Sequence, residues 1–475
     1  MSLETATMPT QLKEAVLTPK LKKDSLDHEV YPHFRPISNL KFISKVVEKA
    51  VSHQLLNHLQ ENDLEERFQS AYKSFHSTET ALVKVHDDIV TAIDNQQQVI
   101  LVLLDLSAAF DTIDHKILLS RLSTRFGIRG KVLRWFLSYL ADRKQAVSVN
   151  GSISSSREVF CGVPQGSVLG PILYLLYTSP LGDVVQRHGL SYHFYAHDSQ
   201  LYMSFKPMNQ LASISCMEAC IKDIDAWMLS NMLKLNKDKT ELLVIGSQYR
   251  LPPSVEDVTV AGERIEATHT VRNRGVTFDG NMNLEQHVKN VCKSAFYQIH
   301  NIAKIRDSLT QDDTETLIHA FITCKLDYCN SLLYDLPQYL IDRLQRVQNS
   351  AARLVTRTRK YEHMTPILRD LHWLPVKQRI IYKILLLTYK SLNGMAPAYL
   401  TDFVRLYNPG RKLRSASKYL LNKPPKVNLK SYGERSFQFA APTLWNALPE
   451  DIKRSSSLDS FKVRLKTLLF NEAFN

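Results

Sequence analysis

The sequence lacks the features that secreted and membrane proteins need. Its six cysteines are widely spaced and form no CxxC pair, so we expect free thiols, a reducing compartment and no zinc site. No apolar run is long enough to span a membrane. The first 23 residues, "MSLETATMPTQLKEAVLTPKLKK", contain no signal-peptide apolar region. Together these absences predict an intracellular protein.

Glycine is also scarce. The 475 residues include only 15 glycines, and neither a long low-complexity linker nor an internal repeat separates one part from another. A chain of this length predicts roughly two to four domains, which we expect to abut directly. A composition of 44% hydrophobic and 23% charged residues is typical of a globular protein and not of a disordered one.

Positive charge is what the chain has in excess. Lysine and arginine number 60 against 47 aspartates and glutamates, which gives a formal net charge of +13. Such an excess is typical either of a surface that keeps the protein soluble or of a polyanion partner, most often nucleic acid. Charge alone leaves both interpretations open.

The hydrophobic pattern predicts an α+β fold. Residues 99–104 are six consecutive apolar residues, which predicts a strand buried on both faces that ends at Asp105. Hairpins are predicted around Asn150-Gly151, by the Asn-Gly turn rule, and within "SYHFYAHDSQLYMSF" (residues 191–205). We expect an antiparallel sheet with helices packed on one of its faces.

Helix signals occur along the rest of the chain. Ser38 or Asn39 is predicted to cap a helix that ends near Leu59, and Ser77 or Thr78 to cap a second helix. Further helices are predicted over residues 209–235 and, four in number, between 281 and 400. The tail from residue 401 is predicted to be irregular, and it is basic, with 14 lysines and arginines against six acidic residues.

Acidic residues lie at two predicted strand or hairpin ends. These are Asp105 and the pair His197-Asp198, and between them lies "GVPQGS" (residues 162–167), whose glycines allow a bound group to approach the backbone closely. Nucleotidyl transfer requires carboxylates that hold two divalent metal ions. The pattern therefore indicates this chemistry, with ordinary turn and surface acids as the alternative.

Longer motifs carry a resemblance to a known family. Four of them resemble, in order, the palm motifs of reverse transcriptases of non-LTR retrotransposons of the LINE-type, jockey-like group: "LLDLSAAFDTIDH", "CGVPQGSVLGPILY", "YHFYAHDSQLY" and "LKLNKDKTELLV". Two others resemble the finger motifs, "FRPISNL" and "QSAYKSFHSTETAL", and two the C-terminal region, "LDYCNSLLYDLP" and "SYGERSFQFAAPTLWNALPEDIK". The likeness runs from about residue 12 to the end, and an ordered set of motifs is far more specific than one motif.

The resemblance implies a right-hand polymerase with fingers and palm over residues 12–280, a helical thumb or connection over 281–400 and a basic C-terminal region over 401–475. The implied function is RNA-directed DNA polymerisation by two-metal catalysis. The implied cofactor is a pair of Mg²⁺ ions, and the implied partners are an RNA template, a DNA primer and dNTPs. The family also implies a location in the nucleus and cytoplasm.

The resemblance also assigns roles to single residues. Asp105 and Asp198 are the implied metal ligands and catalytic residues. Phe110 matches the aromatic that excludes a ribose 2′-hydroxyl, although it could equally be a core residue. Lys239 matches a position that aids triphosphate binding, although it could be an ordinary solvated lysine. The full set of implied nucleotide-binding residues is Lys73, Leu106, Phe110, Gln165, Gly166 and Lys239.

The sequence departs from the family pattern in three places. His197 stands where the aromatic-X-Asp-Asp motif has its first aspartate, and imidazole suits transition metals better than Mg²⁺. Lys73 stands where the family usually has arginine, which keeps the charge but loses the two-pronged hydrogen bonding. The N-terminal endonuclease domain is absent, so we expect a truncated element copy. His197 is interpreted as a lesion that impairs this copy.

One basic stripe can be predicted without the family. In "DRLQRVQNSAARLVTR" (residues 342–357) four arginines fall within roughly 80° of a helix circumference: Arg343, Arg346, Arg353 and Arg357. The neighbouring arc is apolar: Leu344, Val347, Ala351, Leu354 and Val355. The basic stripe is predicted to contact template–primer phosphates, with a solvated charged face as the alternative.

Two rivals to an active polymerase remain. One is a catalytically inactive nucleic-acid-binding remnant of the same fold, and the other is a helical interaction protein whose acids are surface residues. Both polymerase-derived interpretations predict that Asp105 and Asp198 converge with His197 beside them. The helical interpretation predicts that the two aspartates lie far apart.

Overall fold

The computed structural model describes residues 2–107, 110–250, 255–408, 419–422 and 426–474. The strands are β1 (Glu14–Leu21), β2 (Phe34–Leu40), β3 (Gln98–Ser107), β4 (Arg143–Val149), β5 (Ser152–Ile153), β6 (Arg157–Val159), β7 (Ser191–Tyr195), β8 (Asp198–Phe205), β9 (Lys234–Ile245), β10 (Asp257–Val260), β11 (Glu263–Thr268), β12 (Thr270–Asn273) and β13 (Val276–Asp279).

The helices, in chain order, are α1 (Phe42–Glu61), α2 (Thr78–Asp94), α3 (His115–Thr124), α4 (Gly130–Leu140), α5 (Leu169–Thr178), α6 (Leu181–Arg187), α7 (Gln210–Ser230), α8 (Glu285–Ile305), α9 (Gln311–Ile318), α10 (Cys324–Asp327), α11 (Gln338–Thr356), α12 (Met364–Asp370), α13 (Val376–Leu392), α14 (Ala398–Thr401), α15 (Lys430–Gly433), α16 (Phe437–Ala447), α17 (Glu450–Lys453) and α18 (Leu458–Phe474). Among the described residues, no helix combines the length and apolar character needed to cross a bilayer.

The main sheet has six strands in the order β10-β11-β9-β3-β8-β7. Its central strand, β3, pairs antiparallel with both β8 and β9. Five of the six residues of the apolar run 99–104 are at most 2% exposed, and Leu103 is half-buried. The predicted strand, buried on both faces, is therefore confirmed, although it continues past Asp105 to Ser107.

Helices cover both faces of this sheet, so the prediction that they pack on one face is wrong. Val99 and Leu101 share a core with α2 and with helices of the C-terminal half. Ile100, Val102 and Leu104 point the other way and share a core with α1 and α3–α7. A strand that is apolar at every position has two faces to bury, and each needs its own layer of helices.

A second sheet, in the order β2-β1-β4-β5 with β6 also on β4, uses the residues that were predicted to cap the first helix. Ser38 and Asn39 lie in β2, where the Ser38 amide donates to the Gln165 carbonyl at 2.7 Å. The helix begins at Phe42 after Lys41, which provides no side-chain cap. The predicted cap is wrong because both residues pair with β1 in this sheet.

Other helix predictions have mixed outcomes. The Ser77 cap is confirmed, since its hydroxyl accepts from the Thr80 amide in a capping box. The helix predicted over 209–235 ends at Ser230, and the chain turns at Met232 (φ 55°) into β9. Of the four helices predicted between 281 and 400, α8, α11 and α13 are continuous. The second predicted helix is divided into α9 and α10 by a π-helix at His319–Thr323.

The C-terminal tail is largely helical where the structure describes it, so its predicted irregularity is wrong there. Trp445 in α16 and Phe461 in α18 are fully buried in the core that contains α2 and α13. Asp94 of α2 accepts from the Leu429 amide at 2.6 Å, which ties the tail to the first half of the chain. The prediction for residues 409–418 and 423–425 lies outside the described residues.

Candidate active site

The first part of the site is the turn between β7 and β8. Tyr195 pairs with Asp198, which leaves Ala196 and His197 as a two-residue turn. Ala196 has φ 55°, in the left-handed region. The side chain of Gln69 holds this turn, because its Oε1 accepts from the Ala196 amide at 3.0 Å and from the Ala71 amide at 2.9 Å.

The second part is Asp105, which lies beside a β-bulge. Leu103 pairs with Glu241 of β9, but Asp105 pairs with Asn236, so β9 contains extra residues at this point. Bulges redirect side chains, and here Lys239, within the bulged segment, places its ammonium 2.8 Å from Asp105 Oδ2. The Asp105 side chain is 13% exposed.

The two parts meet across β3 and β8. His197 Nε2 lies 3.7 Å from Asp105 Oδ1 and 3.8 Å from Asp198 Oδ1. One possible ligand atom from each of the three side chains lies within 4.8 Å of the others. The predicted convergence, with His197 beside the two aspartates, is confirmed. The helical interaction protein, which required the aspartates to lie far apart, is wrong.

Arg274 completes the site, and sequence reasoning missed it. Its guanidinium donates to Asp198 Oδ2 at 2.8 Å and to the Tyr195 carbonyl at 3.0 Å. It also lies over the Tyr195 ring, 4.2 Å from the centroid. The side chain is 9% exposed, and burial lowers the pKa of Arg274. The available signal was "NRG" (residues 273–275), a tight turn between β12 and β13.

These side chains line a cavity of about 500 Å³. Charged and polar groups dominate its wall: Asp105, His197, Asp198, Asp238, Lys239, Glu241, Arg272 and Arg274 line it together. Burial raises the pKa of Glu241. A cavity of this kind suits a charged, strongly polar ligand better than an apolar one.

The donor set fits a divalent cation. Asp105 Oδ1 is buried and has no hydrogen-bond partner, and a buried unpaired carboxylate oxygen is costly unless something binds it. Two carboxylates and one imidazole form a mixed oxygen and nitrogen set. Mg²⁺ prefers oxygen ligands alone, so the set fits a pair of Mg²⁺ ions less well than two adjacent aspartates would.

Two predicted nucleotide-binding residues lie on or just after β3. Leu106 is 6% exposed and sits in the core, which leaves its backbone as the part that could reach a ligand. The Phe110 ring packs on Tyr174, with centroids 4.9 Å apart. Phe110 is partly buried and packs against the core that contains Leu106.

The glycines of the loop lie close to the chain's own backbone. Gly166 has φ +119°, and a Cβ there would lie 2.8 Å from the Ser38 carbonyl oxygen, so only glycine fits. Gln165 donates to both carboxylate oxygens of Asp111 at 3.0 Å. Burial raises the pKa of Asp111. The loop lines a different cavity from the one that contains Asp105.

Lys73 is not brought to the carboxylates in this structure. Its ammonium donates to the Glu66 carbonyl at 2.6 Å and lies 3.4 Å from Glu65 Oε2. The side chain is only 8% exposed, and burial lowers the pKa of Lys73. Its predicted contact with a nucleotide would require this lysine to leave those partners.

The predicted basic stripe is present on α11, but with three arginines and not four. The apolar arc is confirmed, since Leu344, Val347, Ala351 and Val355 are buried and Leu354 is half-buried. Arg346 is exposed, whereas Arg343 and Arg353 are half-buried, and Arg343 pairs with Glu285 at 3.1 Å. Arg357 is wrongly placed in the stripe, because it follows the last helical residue with φ 57° and pairs with Asp307 at 3.3 Å.

Comparison with known proteins assigns the family. Residues 21–278, more than half of the chain, match the family described as reverse transcriptase (RNA-dependent DNA polymerase). The chain is 26% identical over 386 residues to the probable RNA-directed DNA polymerase from transposon BS of Drosophila melanogaster, covering 78% of this chain and 41% of that protein. It is 25% identical to the probable RNA-directed DNA polymerase from transposon X-element of the same fly, covering 71% and 37%.

A third relative is the RNA-directed DNA polymerase from mobile element jockey of Drosophila melanogaster, 26% identical over 54% of this chain and 28% of that protein. Among solved structures, apo telomerase from Candida tropicalis gives a TM-score of 0.41 at 11% identity, covering 83% of this chain and 70% of that one. The chain spans about two fifths or less of the length of these transposon relatives.

The family match agrees with the α+β architecture and with the converging aspartates. The protein therefore belongs to the reverse transcriptase (RNA-dependent DNA polymerase) family, with the right-hand polymerase fold of that family. The predicted resemblance to jockey-like, non-LTR elements is confirmed by the transposon relatives.

Proposed function

We propose that this chain derives from the RNA-directed DNA polymerase of a non-LTR retrotransposon and acts on an RNA template, a DNA primer and dNTPs. The observation that carries the proposal is the convergence of Asp105 and Asp198 at the tip of the β7–β8 hairpin. Separate strands deliver these two carboxylates to one cavity. Nucleotidyl transfer needs such a pair, because the carboxylates hold the divalent cations that neutralise the negative charge at the reacting phosphate.

The residues have distinct proposed roles. Asp105 and Asp198 would hold the divalent metal, which supplies positive charge to the attacking 3′-hydroxyl and the pyrophosphate leaving group when bound. Lys239, 67% exposed, can turn from Asp105 toward a triphosphate. Phe110 would lie beside the sugar, and the loop with Gln165 and Gly166 beneath the base and template.

We further propose that His197 impairs polymerisation in this copy. An imidazole replaces a carboxylate, so the site loses one negative charge and one oxygen ligand for Mg²⁺. Arg274 and Lys239 already neutralise one oxygen of each remaining aspartate. The alternative function, an inactive nucleic-acid-binding remnant, keeps the fold and the basic surfaces but forms no product.

Primer extension on an RNA template tests the proposal. The unmodified chain and the His197→Asp variant are compared with Mg²⁺ and with Mn²⁺, and we expect the variant to extend the primer much faster. His197→Asp combined with Asp105→Asn is the matched control. It should be inactive because it removes the central ligand and keeps the restored aspartate.

Each result decides between the alternatives. An unmodified chain that extends at a rate similar to the variant would show that His197 does not impair it. A variant that binds template–primer and still forms no product would favour the nucleic-acid-binding remnant. In that case Lys73, held by Glu65 and Glu66, is the next residue to restore, as arginine.

Arg346 and Arg353 on α11 are the proposed contacts to template–primer phosphates. Replacing both by alanine should weaken duplex binding and reduce the slope of log K against log [salt] by about 2, since each phosphate contact releases roughly one counterion. Replacing Arg357 and Arg264 is the matched control of equal charge. Arg357 pairs with Asp307 and Arg264 lies on β11. An unchanged slope in the Arg346 and Arg353 variant would rule out the stripe.

A further inference from the structure

The three candidate ligands of the site are arranged for one metal ion. Asp105 uses Oδ2 to accept from Lys239, and Asp198 uses Oδ2 to accept from Arg274, both at 2.8 Å. Their other oxygens, both Oδ1, face His197 Nε2 at 3.7 and 3.8 Å. Asp105 Oδ1, His197 Nε2 and Asp198 Oδ1 are therefore left without a lysine or arginine partner, and they lie close together.

Within the part of the chain that the structure describes, no second group of three His, Cys, Asp or Glu side chains is placed to hold an ion. Two ions about 3.5–4 Å apart need oxygen ligands for each of them. Arg274 is fixed, since it is 9% exposed, packs on the Tyr195 ring and also donates to the Tyr195 carbonyl. Asp198 therefore keeps one oxygen on Arg274 and has one oxygen left for an ion.

The charges in the site also disfavour Mg²⁺. Lys239 and Arg274 each pair with one of the two carboxylate ligands, which reduces the negative charge that these ligands offer to a cation. A hard cation binds through charge and oxygen ligands and dehydrates reluctantly. A borderline transition metal gains in addition from the bond to an imidazole nitrogen. Three protein ligands with an open position are typical of catalytic zinc sites.

We propose that Asp105, His197 and Asp198 form a single-ion site that prefers a transition-metal dication of the Zn²⁺ or Co²⁺ type to Mg²⁺. The inference deepens the proposed function, on which its catalytic meaning rests, but it concerns binding alone. His197 is 45% exposed, and so is accessible to an ion from the cavity. His197 is then both the residue that disfavours the Mg²⁺ pair and the residue that selects a different metal.

Titration with Co²⁺, followed by its visible absorption, tests the proposal without nucleic acid or dNTPs. The exposed thiols are removed in every variant by Cys161→Ser and Cys324→Ser, so that surface thiolates do not contribute. We expect one ion per chain, displaced by Zn²⁺ but not by Mg²⁺ at the same concentration. His197→Ala should weaken binding at least about 10-fold, since even outer-shell partners of a metal affect affinity by that factor.

His188→Ala is the matched control, because His188 forms a histidine–aspartate pair with Asp223 at 2.8 Å. It should bind Co²⁺ as the unmodified chain does. Asp198→Asn is a second variant, which removes the negative charge of one ligand. It should weaken Co²⁺ binding as His197→Ala does. Thermal melts establish that each variant is folded.

Three results would overturn the inference: equal Co²⁺ affinity with and without His197, displacement of Co²⁺ by Mg²⁺ as readily as by Zn²⁺, or two ions per chain. The outcomes separate from those of the proposed function. If the His197→Asp variant extends a primer but Co²⁺ binding by the unmodified chain does not depend on His197, this inference is wrong and the proposed function stands. His197-dependent Co²⁺ binding together with an inert His197→Asp variant overturns the proposal that His197 is what impairs polymerisation, and leaves this inference standing.

Discussion

Two of the hairpins that close with two-residue turns, β4–β5 and β7–β8, have turns that are stabilised by different means. In the β4–β5 hairpin, Val149 pairs with Ser152 around Asn150-Gly151, and both turn residues have positive φ. In the β7–β8 hairpin, Tyr195 pairs with Asp198 around Ala196-His197, where Ala196 has φ 55°. Asparagine and glycine favour this backbone, whereas alanine disfavours it.

The difference shows which residues determine the conformation of each turn. The Asn150-Gly151 turn is encoded by its own residues. The Ala196-His197 turn depends on Gln69, which lies 127 residues away in sequence and bonds both the amide and the carbonyl of Ala196. The Ala196-His197 turn is thus held by a residue distant in sequence and not by local preference.

The largest expected effect on this comparison comes from Gln69→Leu. The substitution leaves the Ala196 and Ala71 amides without their acceptor, and Ala71 is 1% exposed. We expect a loss of about 2 kcal/mol in the free energy of unfolding, because a buried unpaired donor is costly. Urea denaturation measures it.

Gln60→Leu, on the exposed side of α1, is the control, and it should change stability by less than about 0.5 kcal/mol. Equal losses for the two variants would mean that the Gln69 contacts do not support the turn. A loss confined to Gln69→Leu would tie the hairpin tip to the segment that contains Gln69.

The smaller effect comes from exchanging the preferences of the two turns. Gly151→Ala should destabilise by about 1 kcal/mol, because the left-handed backbone is strained for alanine although the space around Gly151 is open. Ala196→Gly should stabilise by less than about 1 kcal/mol, since relief of that strain is partly offset by unfolded-chain entropy. Thermal melts measure both, and changes of the same sign would contradict the comparison.

The sequence predicted those parts of the fold that depend on nearby residues. The buried run 99–104, the Asn150-Gly151 turn and the Ser77 cap all have local causes, and the structure confirms them. The Ser38 or Asn39 cap failed because both residues pair with β1, Ser38 with Leu17 and Asn39 with Val16. The prediction of an irregular tail was wrong because it relied on the charge of the tail and not on its aromatic residues, such as the buried Trp445.

The same division holds within the candidate site. Asp105, His197 and Asp198 could be named from the sequence because motif resemblance and strand ends both indicate them. Arg274 could not, because its contact with the hairpin crosses 76 residues and depends on the β12–β13 turn. The bulge that brings Lys239 to Asp105 is likewise a property of two paired strands.

We propose that the hairpin tip is a polymerase site altered at one residue. The most direct measurement is the ratio of single-turnover primer-extension rates, His197→Asp over the unmodified chain, on an RNA template with Mg²⁺. Since a metal supplies several kcal/mol of charge stabilisation, we predict a ratio of at least about 100. A ratio near one, with both chains active, would contradict the claim.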